Sequence, residues 1–130
     1  MFNINKETKQ IELTRGNVAT IGVTATNDDE TDYIFVVGDI VRFKVFEKKD
    51  CDKVVLQKDV EVKEQTSIVN VELTSEETKI GELINKPVDY WYEIELNPDT
   101  NTQTIVGYDK QGAKIFTLYP EGGDKKWSNQ

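Results

Sequence analysis

The feature that most constrains this chain is its use of stiff, β-branched side chains. Valine, isoleucine and threonine supply 38 of the 130 residues, whereas leucine contributes six and alanine three. Two branches at Cβ restrict the χ1 rotamers and fit a pleated strand better than a helix. This composition favours an all-β fold.

Alternation of apolar and polar residues locates the strands. It runs, for example, through residues 41–45 and 90–96. Such strands have one covered face and one wet face, as in an antiparallel sheet. With turns about every 8–12 residues, the pattern predicts an antiparallel β-sandwich of seven or eight strands. The predicted strands are residues 9–15, 19–27, 39–48, 53–64, 67–74, 88–97, 102–109 and 113–120.

One short helix is predicted over about 75–84. Thr74 precedes Glu77 by three residues, which is the spacing of a capping box. Apolar residues then follow at helical intervals up to Pro87, where the proline ends the element. We expect this helix to cross one end of the sandwich.

The length of the chain allows one domain with its own core. We expect residues 1–120 to form this β-sandwich domain and residues 121–130 to form a polar, flexible tail. Trp127 in the tail either folds back onto the domain or anchors a contact with another chain, since tryptophan is typical of interface centres. Neither a signal peptide nor a membrane-spanning run is evident, so we expect a soluble protein made in a cytoplasm.

Charge and composition argue against several functions. The formal net charge is −8, and the chain has no histidine. An acidic surface disfavours nucleic acid and anionic membranes as partners. The commonest general base and the usual zinc ligand are missing, and the sequence has no glycine-rich phosphate loop or nucleophilic serine motif. We therefore predict that the protein is not an enzyme and needs no cofactor.

An acidic loop is a weak candidate for a calcium site. Asp28, Glu30 and Asp32 place carboxylate oxygens at alternate positions, as some Ca²⁺-binding loops do. The glycine and the closing glutamate of an EF-hand are missing, so a solvated loop is the simpler interpretation.

Two aromatic segments are candidates for interaction. Tyr90 and Tyr92 share the parity of core residues, so Trp91 is expected to point outward beside Glu93. Such a ring is typical of a protein contact, a carbohydrate platform or a ring packed on lysine stems. The apolar run 33–37, with Tyr33 and Phe35, indicates a segment covered on both sides or one that meets another subunit.

The order of these elements resembles a known family. The chain contains Gly-Asp before the strand at 40–46, Leu-Thr-Ser-Glu-Glu-Thr at 73–78, Tyr-Trp-Tyr-Glu-Ile at 90–94 and a closing hairpin over 104–120. Over about residues 10–120 this resembles the N-terminal immunoglobulin-like domain of phage baseplate upper proteins and related prophage structural proteins of Gram-positive bacteria.

The resemblance implies an immunoglobulin-like sandwich and a non-catalytic assembly module of a virion, of the baseplate or tail-fibre type. Such a component is assembled in the bacterial host cytoplasm, and its partners are other virion proteins and further copies of itself. The alternative function, based on Trp91, is a carbohydrate- or cell-surface-binding module whose ligand would be a host-surface glycan.

Overall fold

The computed structural model describes residues 2–4, 9–27, 29–48, 53–107, 112 and 114–121. Nine strands and no helix occur within these ranges, so the all-β prediction is confirmed. The strands are β1 (Phe2–Ile4), β2 (Ile11–Thr14), β3 (Ala19–Val23), β4 (Ile40–Phe46), β5 (Val54–Glu61), β6 (Val69–Leu73), β7 (Val88–Leu96), β8 (Gln103–Val106) and β9 (Lys114–Tyr119). Alternation located β2 to β9 but not β1, which lies in a stretch that is mostly polar.

The strands form two sheets. The larger sheet has the order β1-β2-β9-β7-β4-β5, and β8 pairs with β7 beyond the end of β9. The smaller sheet consists of β3 and β6. All of the strand pairs described are antiparallel except β2 with β9, which are parallel. The prediction of a wholly antiparallel sandwich therefore fails at that one pair.

One hydrophobic core lies between the sheets. Inward side chains of both sheets belong to the same cluster, including Ile21 of β3, Val71 of β6, and Phe43 and Phe116 of the larger sheet. The Phe43 and Phe116 ring centroids lie 6.2 Å apart at a tilt of 52°. Two layers that share one core form the sandwich-like arrangement that the alternation predicts.

The predicted helix over about 75–84 is wrong, although its capping box forms. The Thr74 N–H donates to Glu77 Oε1 at 2.8 Å, and the Glu77 N–H donates to Thr74 Oγ1 at 3.2 Å. One helical turn follows, and the chain then reaches Gly81 at a positive φ of 68°. A left-handed residue at this position ends the helix after its first turn.

Contacts with the rest of the fold explain why the helix stops. The Arg15 guanidinium donates to the Ile80 carbonyl at 3.2 Å and to the Gly81 carbonyl at 2.8 Å. Thr78, which is fully buried, accepts the Gly16 N–H at 3.0 Å through its hydroxyl oxygen. Tertiary hydrogen bonds thus take the place of the intrahelical ones that a longer helix would form.

The chain after β9 is tied to this same region. Glu121 Oε1 lies 2.7 Å from Arg15 Nη1, and the side chains of both residues are largely shielded from solvent. The predicted tail begins at Glu121, which is therefore held in place. Residues 122–130, including the candidate Trp127, lie outside the described residues.

Candidate interaction surfaces

A segment of chain outside the named strands extends the smaller sheet of β3 and β6, and we call this segment the strip. The Tyr33 N–H donates to the Ala25 carbonyl at 2.9 Å, and the Phe35 N–H donates to the Thr66 carbonyl at 2.8 Å. Ala25 follows β3 and Thr66 precedes β6, so the strip 31–36 lies between the extensions of the two strands. The sheet surface therefore continues beyond the ends of β3 and β6.

The strip alternates between the core and the surface. Phe35 is fully buried, and its ring meets Tyr33 edge to face at a centroid distance of 5.1 Å. Ile34 and Val36 keep 42% and 48% of their surface exposed. Within this chain the run 33–37 is thus covered on one side. The candidate contact Phe35 belongs to the core, and its exposed neighbours are the residues available to a partner.

Most exposed side chains of the smaller sheet and its strip carry no charge, and we call this uncharged group the neutral face. The exposed acids Glu72 of β6 and Asp32 of the strip stand at its two ends. Ile68 lies across Gly22, where an added Cβ would come within 3.1 Å of Ile68 Cδ1. Ile68 itself is 47% exposed. The neutral face consists of Thr20, Gly22, Thr24, Ile34, Val36, Ser67, Ile68 and Asn70, all of which are exposed. Exposed aliphatic residues grouped on one face are typical of an interaction site.

A polar network holds the strip in place. Asp39 is buried and accepts the Tyr33 hydroxyl at 2.7 Å and the Val36 N–H at 3.0 Å through Oδ2. Asn97 Nδ2 donates to the other oxygen of the same carboxylate at 3.2 Å. Burial opposes ionisation, but the three hydrogen bonds outweigh it and lower the pKa of Asp39. The hydrogen bond to Asp39 in turn raises the pKa of Tyr33.

The outer face of the larger sheet presents Trp91, as predicted. Tyr90 and Tyr92 point into the core, and Trp91 lies half-buried on the opposite face. Its cross-strand neighbours are Phe46 on β4 and Ile115 on β9. Phe46 is only 3% exposed although it is not part of the core cluster. Trp91 is therefore a partly accessible ring on this face, with Phe46 and Ile115 at the neighbouring strand positions.

Ion pairs occupy the part of that outer face around β4 and β7. Lys44 Nζ lies 3.0 Å from Glu95 Oε1 and 3.6 Å from Glu93 Oε1. Arg42 pairs with Asp59 at 2.8 Å and with Asp99 at 3.2 Å. The hydrogen bonds from Arg42 lower the pKa of Asp59. Glu93, a predicted contact residue, is thus half-buried and already paired within the chain.

A groove of about 370 Å³ separates β8 from the residues that follow β3. Hydroxyl and amide groups line it, including Thr24, Thr26, Gln103 and Thr104, together with the Tyr33 side chain. These side chains both donate and accept hydrogen bonds, so they suit a polar ligand more than an apolar one. Tyr33, a predicted contact residue, therefore lines a groove as well as supporting the strip.

The acidic loop is organised by its own hydrogen bonds. Asp29 Oδ1 accepts the Thr31 N–H at 3.1 Å and the Thr31 hydroxyl at 2.5 Å, which lowers the pKa of Asp29. Glu30 and Asp32 are exposed. Among the described residues, no three acidic, cysteine or histidine side chains are grouped to hold a metal ion. Asp28 lies outside those residues, so the calcium site stays a prediction.

No family model matches this sequence, and a search among curated proteins finds no relative. The part of the chain that the structure describes contains no helix long and apolar enough to cross a bilayer. The resemblance to phage baseplate proteins therefore stays a prediction, and the function has to be argued from the surfaces themselves.

Proposed function

We propose that the protein is a non-catalytic structural module of a phage or prophage virion, of the baseplate or tail-fibre type, that acts through protein–protein contacts. The observation that carries the proposal is the neutral face. In a chain with 40 charged residues out of 130, eight exposed positions of one sheet surface carry no charge, and the exposed acids Glu72 and Asp32 stand at the ends of this group. Depletion of charge around exposed aliphatic side chains is typical of the centre of a protein interface.

The hydrogen bonds that hold this face in place support an assembly role. The side chain of Asp39 fixes the strip that carries Ile34 and Val36 through hydrogen bonds to Tyr33 and to the backbone. A surface that is ordered before binding loses less conformational entropy when a partner docks. Such a surface suits a structural component that must join its neighbours in one defined geometry.

Four of the described carboxylates suit a structural role. The pKa values of Asp29, Asp39, Asp59 and Glu77 are all lowered, so these groups are ionised at neutral pH. A general acid needs a pKa raised toward neutrality. The lowered values arise from hydrogen bonds and ion pairs that stabilise the fold.

Particle purification tests this proposal. Virions are induced from the encoding strain, separated on a density gradient and quantified by immunoblot, with an abundant host enzyme as the control for contamination. We expect the protein to band with the particles at a fixed ratio to a tail or capsid protein. A protein that is abundant in the lysate and absent from the particle band would refute the proposal.

A carbohydrate-binding module is the second candidate function, favoured by the half-exposed Trp91 ring beside Glu93. A glycan array probed with the wild type and with Trp91→Ala tests it. Binding that disappears in Trp91→Ala but persists in Val54→Ala would support the candidate. An array on which the wild type binds nothing, or a Trp91→Ala protein with unchanged binding, would count against it.

A further inference from the structure

We infer that the groove between β8 and the residues that follow β3 binds an uncharged carbohydrate. This inference goes beyond the proposed assembly function, and the site is separate from Trp91, which lies on the outer face of the larger sheet. The groove has a volume of about 370 Å³, within the range of about 300–1,000 Å³ that is typical of small-molecule sites. Residues 103–106 of β8 form one wall, and residues 24–27 form the other.

The walls of the groove offer hydrogen-bonding groups that are free to meet a ligand. The hydroxyls of Thr26 and Thr104 and the amide of Gln103 line the groove, and they make no hydrogen bond within the part of the chain that the structure describes. A hydroxyl or an amide side chain both donates and accepts hydrogen bonds. The hydroxyls of a sugar do the same, so the two walls match such a ligand from both sides.

The charge of the groove favours a neutral ligand. Lys9 is the only charged residue among the described residues that line it, and none of them is acidic, although the chain has 24 acidic residues. A metal cation would therefore find no carboxylate ligand there. A phosphate or an acidic sugar would meet a single lysine in a molecule of net charge −8, which repels anions. An uncharged ligand is subject to neither disadvantage.

The deeper residues of the groove are apolar or aromatic. Leu96 is buried, and Ile105, Val106 and Tyr33 are half-buried, whereas the threonine and glutamine side chains of the walls are exposed. Small-molecule sites commonly combine an apolar lining with a few polar groups that fix the orientation of the ligand. A pyranose ring has the matching pattern, because its ring faces carry C–H groups and its hydroxyls extend from the rim.

Contacts within the fold hold both sides of the groove in place before a ligand arrives. On one side, the Tyr33 hydroxyl donates to Asp39 at 2.7 Å. On the other, Thr104 packs against Gly107, where an added Cβ would lie 2.7 Å from Thr104 Cγ2. Groups that are ordered in advance lose less conformational entropy on binding. A single sugar still makes few contacts, so we expect a dissociation constant between about 0.1 mM and about 10 mM.

Amide chemical shifts of the isotope-labelled full chain, measured during a sugar titration, test the inference. The probes are glucose, galactose and N-acetylglucosamine, each up to about 50 mM. The controls are glucuronate, which adds a carboxylate to glucose, and sorbitol, which has hydroxyls but no ring. We expect at least one of the three sugars to give saturable shifts at residues 24–27 and 103–106 that neither control reproduces. No saturable shift there with any of the three sugars would overturn the inference.

Matched variants locate the binding. Thr104→Val removes a hydroxyl from the groove, and Thr20→Val makes the same change at an exposed threonine of β3 outside it. Gln103→Ala and Gln57→Ala form a second pair of the same kind. Thermal melting checks that each variant folds. We expect each groove variant to weaken sugar binding at least about threefold and each control to leave it unchanged. Equal effects within both pairs would contradict the site.

Two further comparisons separate this site from other candidates. Trp91→Ala should leave the sugar-induced shifts in the groove unchanged, and their loss would overturn the inference in favour of binding at Trp91. A short uncharged peptide of alternating threonine and valine, blocked at both ends, tests the addition of a strand to β8. Shifts in the groove with this peptide and with no sugar would refute a carbohydrate site. Virion banding does not depend on sugar binding, so the assembly function stands or fails separately.

Discussion

The Tyr33 hydroxyl donates a 2.7 Å hydrogen bond to Oδ2 of Asp39, and the same oxygen accepts the Val36 N–H. The buried Asp39 carboxylate thereby links the Tyr33 side chain to the backbone of Val36, which is exposed on the neutral face. The position of the neutral face consequently depends on the charge of Asp39, which is buried and out of reach of a partner. Substitutions at Asp39 should therefore affect both the stability of the fold and the position of the neutral face.

Asp39→Asn should lower the free energy of unfolding by about 2 kcal/mol. The Asp39 carboxylate offers two acceptor oxygens to its three donors, whereas an asparagine amide offers one and carries no charge. Hydrogen bonds to a charged group are worth about 1.5–3 kcal/mol. Urea denaturation measures the loss. Asp99→Asn is the matched control, because the Asp99 side chain is 78% exposed, and it should change stability by less than about 0.5 kcal/mol.

The stabilising effect of Asp39 should disappear in acid. Its folded pKa is lowered, so the folded state favours the ionised form and binds its proton less tightly than the unfolded state does. The contribution is complete above the unfolded pKa of about 3.9 and is lost as the pH falls through the folded pKa. The stability difference between wild type and Asp39→Asn should shrink below about pH 4. A difference that stays constant from neutral pH to about pH 2 would contradict this assignment.

Thr78→Val should be strongly destabilising, although valine and threonine have nearly the same shape. The buried hydroxyl accepts the Gly16 N–H at 3.0 Å and donates to the Asn17 carbonyl at 2.8 Å, so valine leaves both groups without this partner. We expect a loss of about 2–4 kcal/mol by chemical denaturation. Thr78→Ser keeps the hydroxyl and should cost only about 1 kcal/mol for the missing methyl group. Equal losses in the two variants would show that the hydroxyl is unimportant.

Glu121→Ala should destabilise the fold although it lies at the end of the described chain. The substitution removes the 2.7 Å partner of Arg15, whose side chain is only 9% exposed. We expect a loss of about 1–2 kcal/mol in the free energy of unfolding. Glu61→Ala removes a surface partner of Lys63, which is 78% exposed, and should cost less than about 0.5 kcal/mol. A Glu121→Ala protein as stable as Glu61→Ala would refute the anchoring role of Arg15.

Local patterns predicted the strands well because burial follows the two-residue period of a pleated chain. The assignment of Tyr90 and Tyr92 to the core and of Trp91 to the surface needed nothing beyond that period. The helix failed for a nonlocal reason. Its capping box depends on Thr74 and Glu77 alone and therefore forms, whereas its continuation was decided by tertiary contacts that the local spacing does not contain.

The neutral face was only partly predictable. The apolar run 33–37 indicated a segment with two covered sides or a subunit contact, and the structure shows one side in the core and one side exposed. A strict two-residue alternation over this run would have predicted that Phe35 faces the core and that Ile34 and Val36 face solvent. That Ile68 joins the same face depends on the pairing of β3 with β6, and the periodicity of a single segment does not reveal which strands pair.

Incorporation into virions tests the central claim most directly. The encoding strain is made to express wild type, Ile68→Glu or Val54→Glu, and the protein in purified particles is measured relative to a capsid protein. We predict that Val54→Glu enters particles at the wild-type ratio and that Ile68→Glu is depleted at least about fivefold while it remains folded in the lysate. Particles that contain all three proteins at the same ratio would contradict assembly through the neutral face.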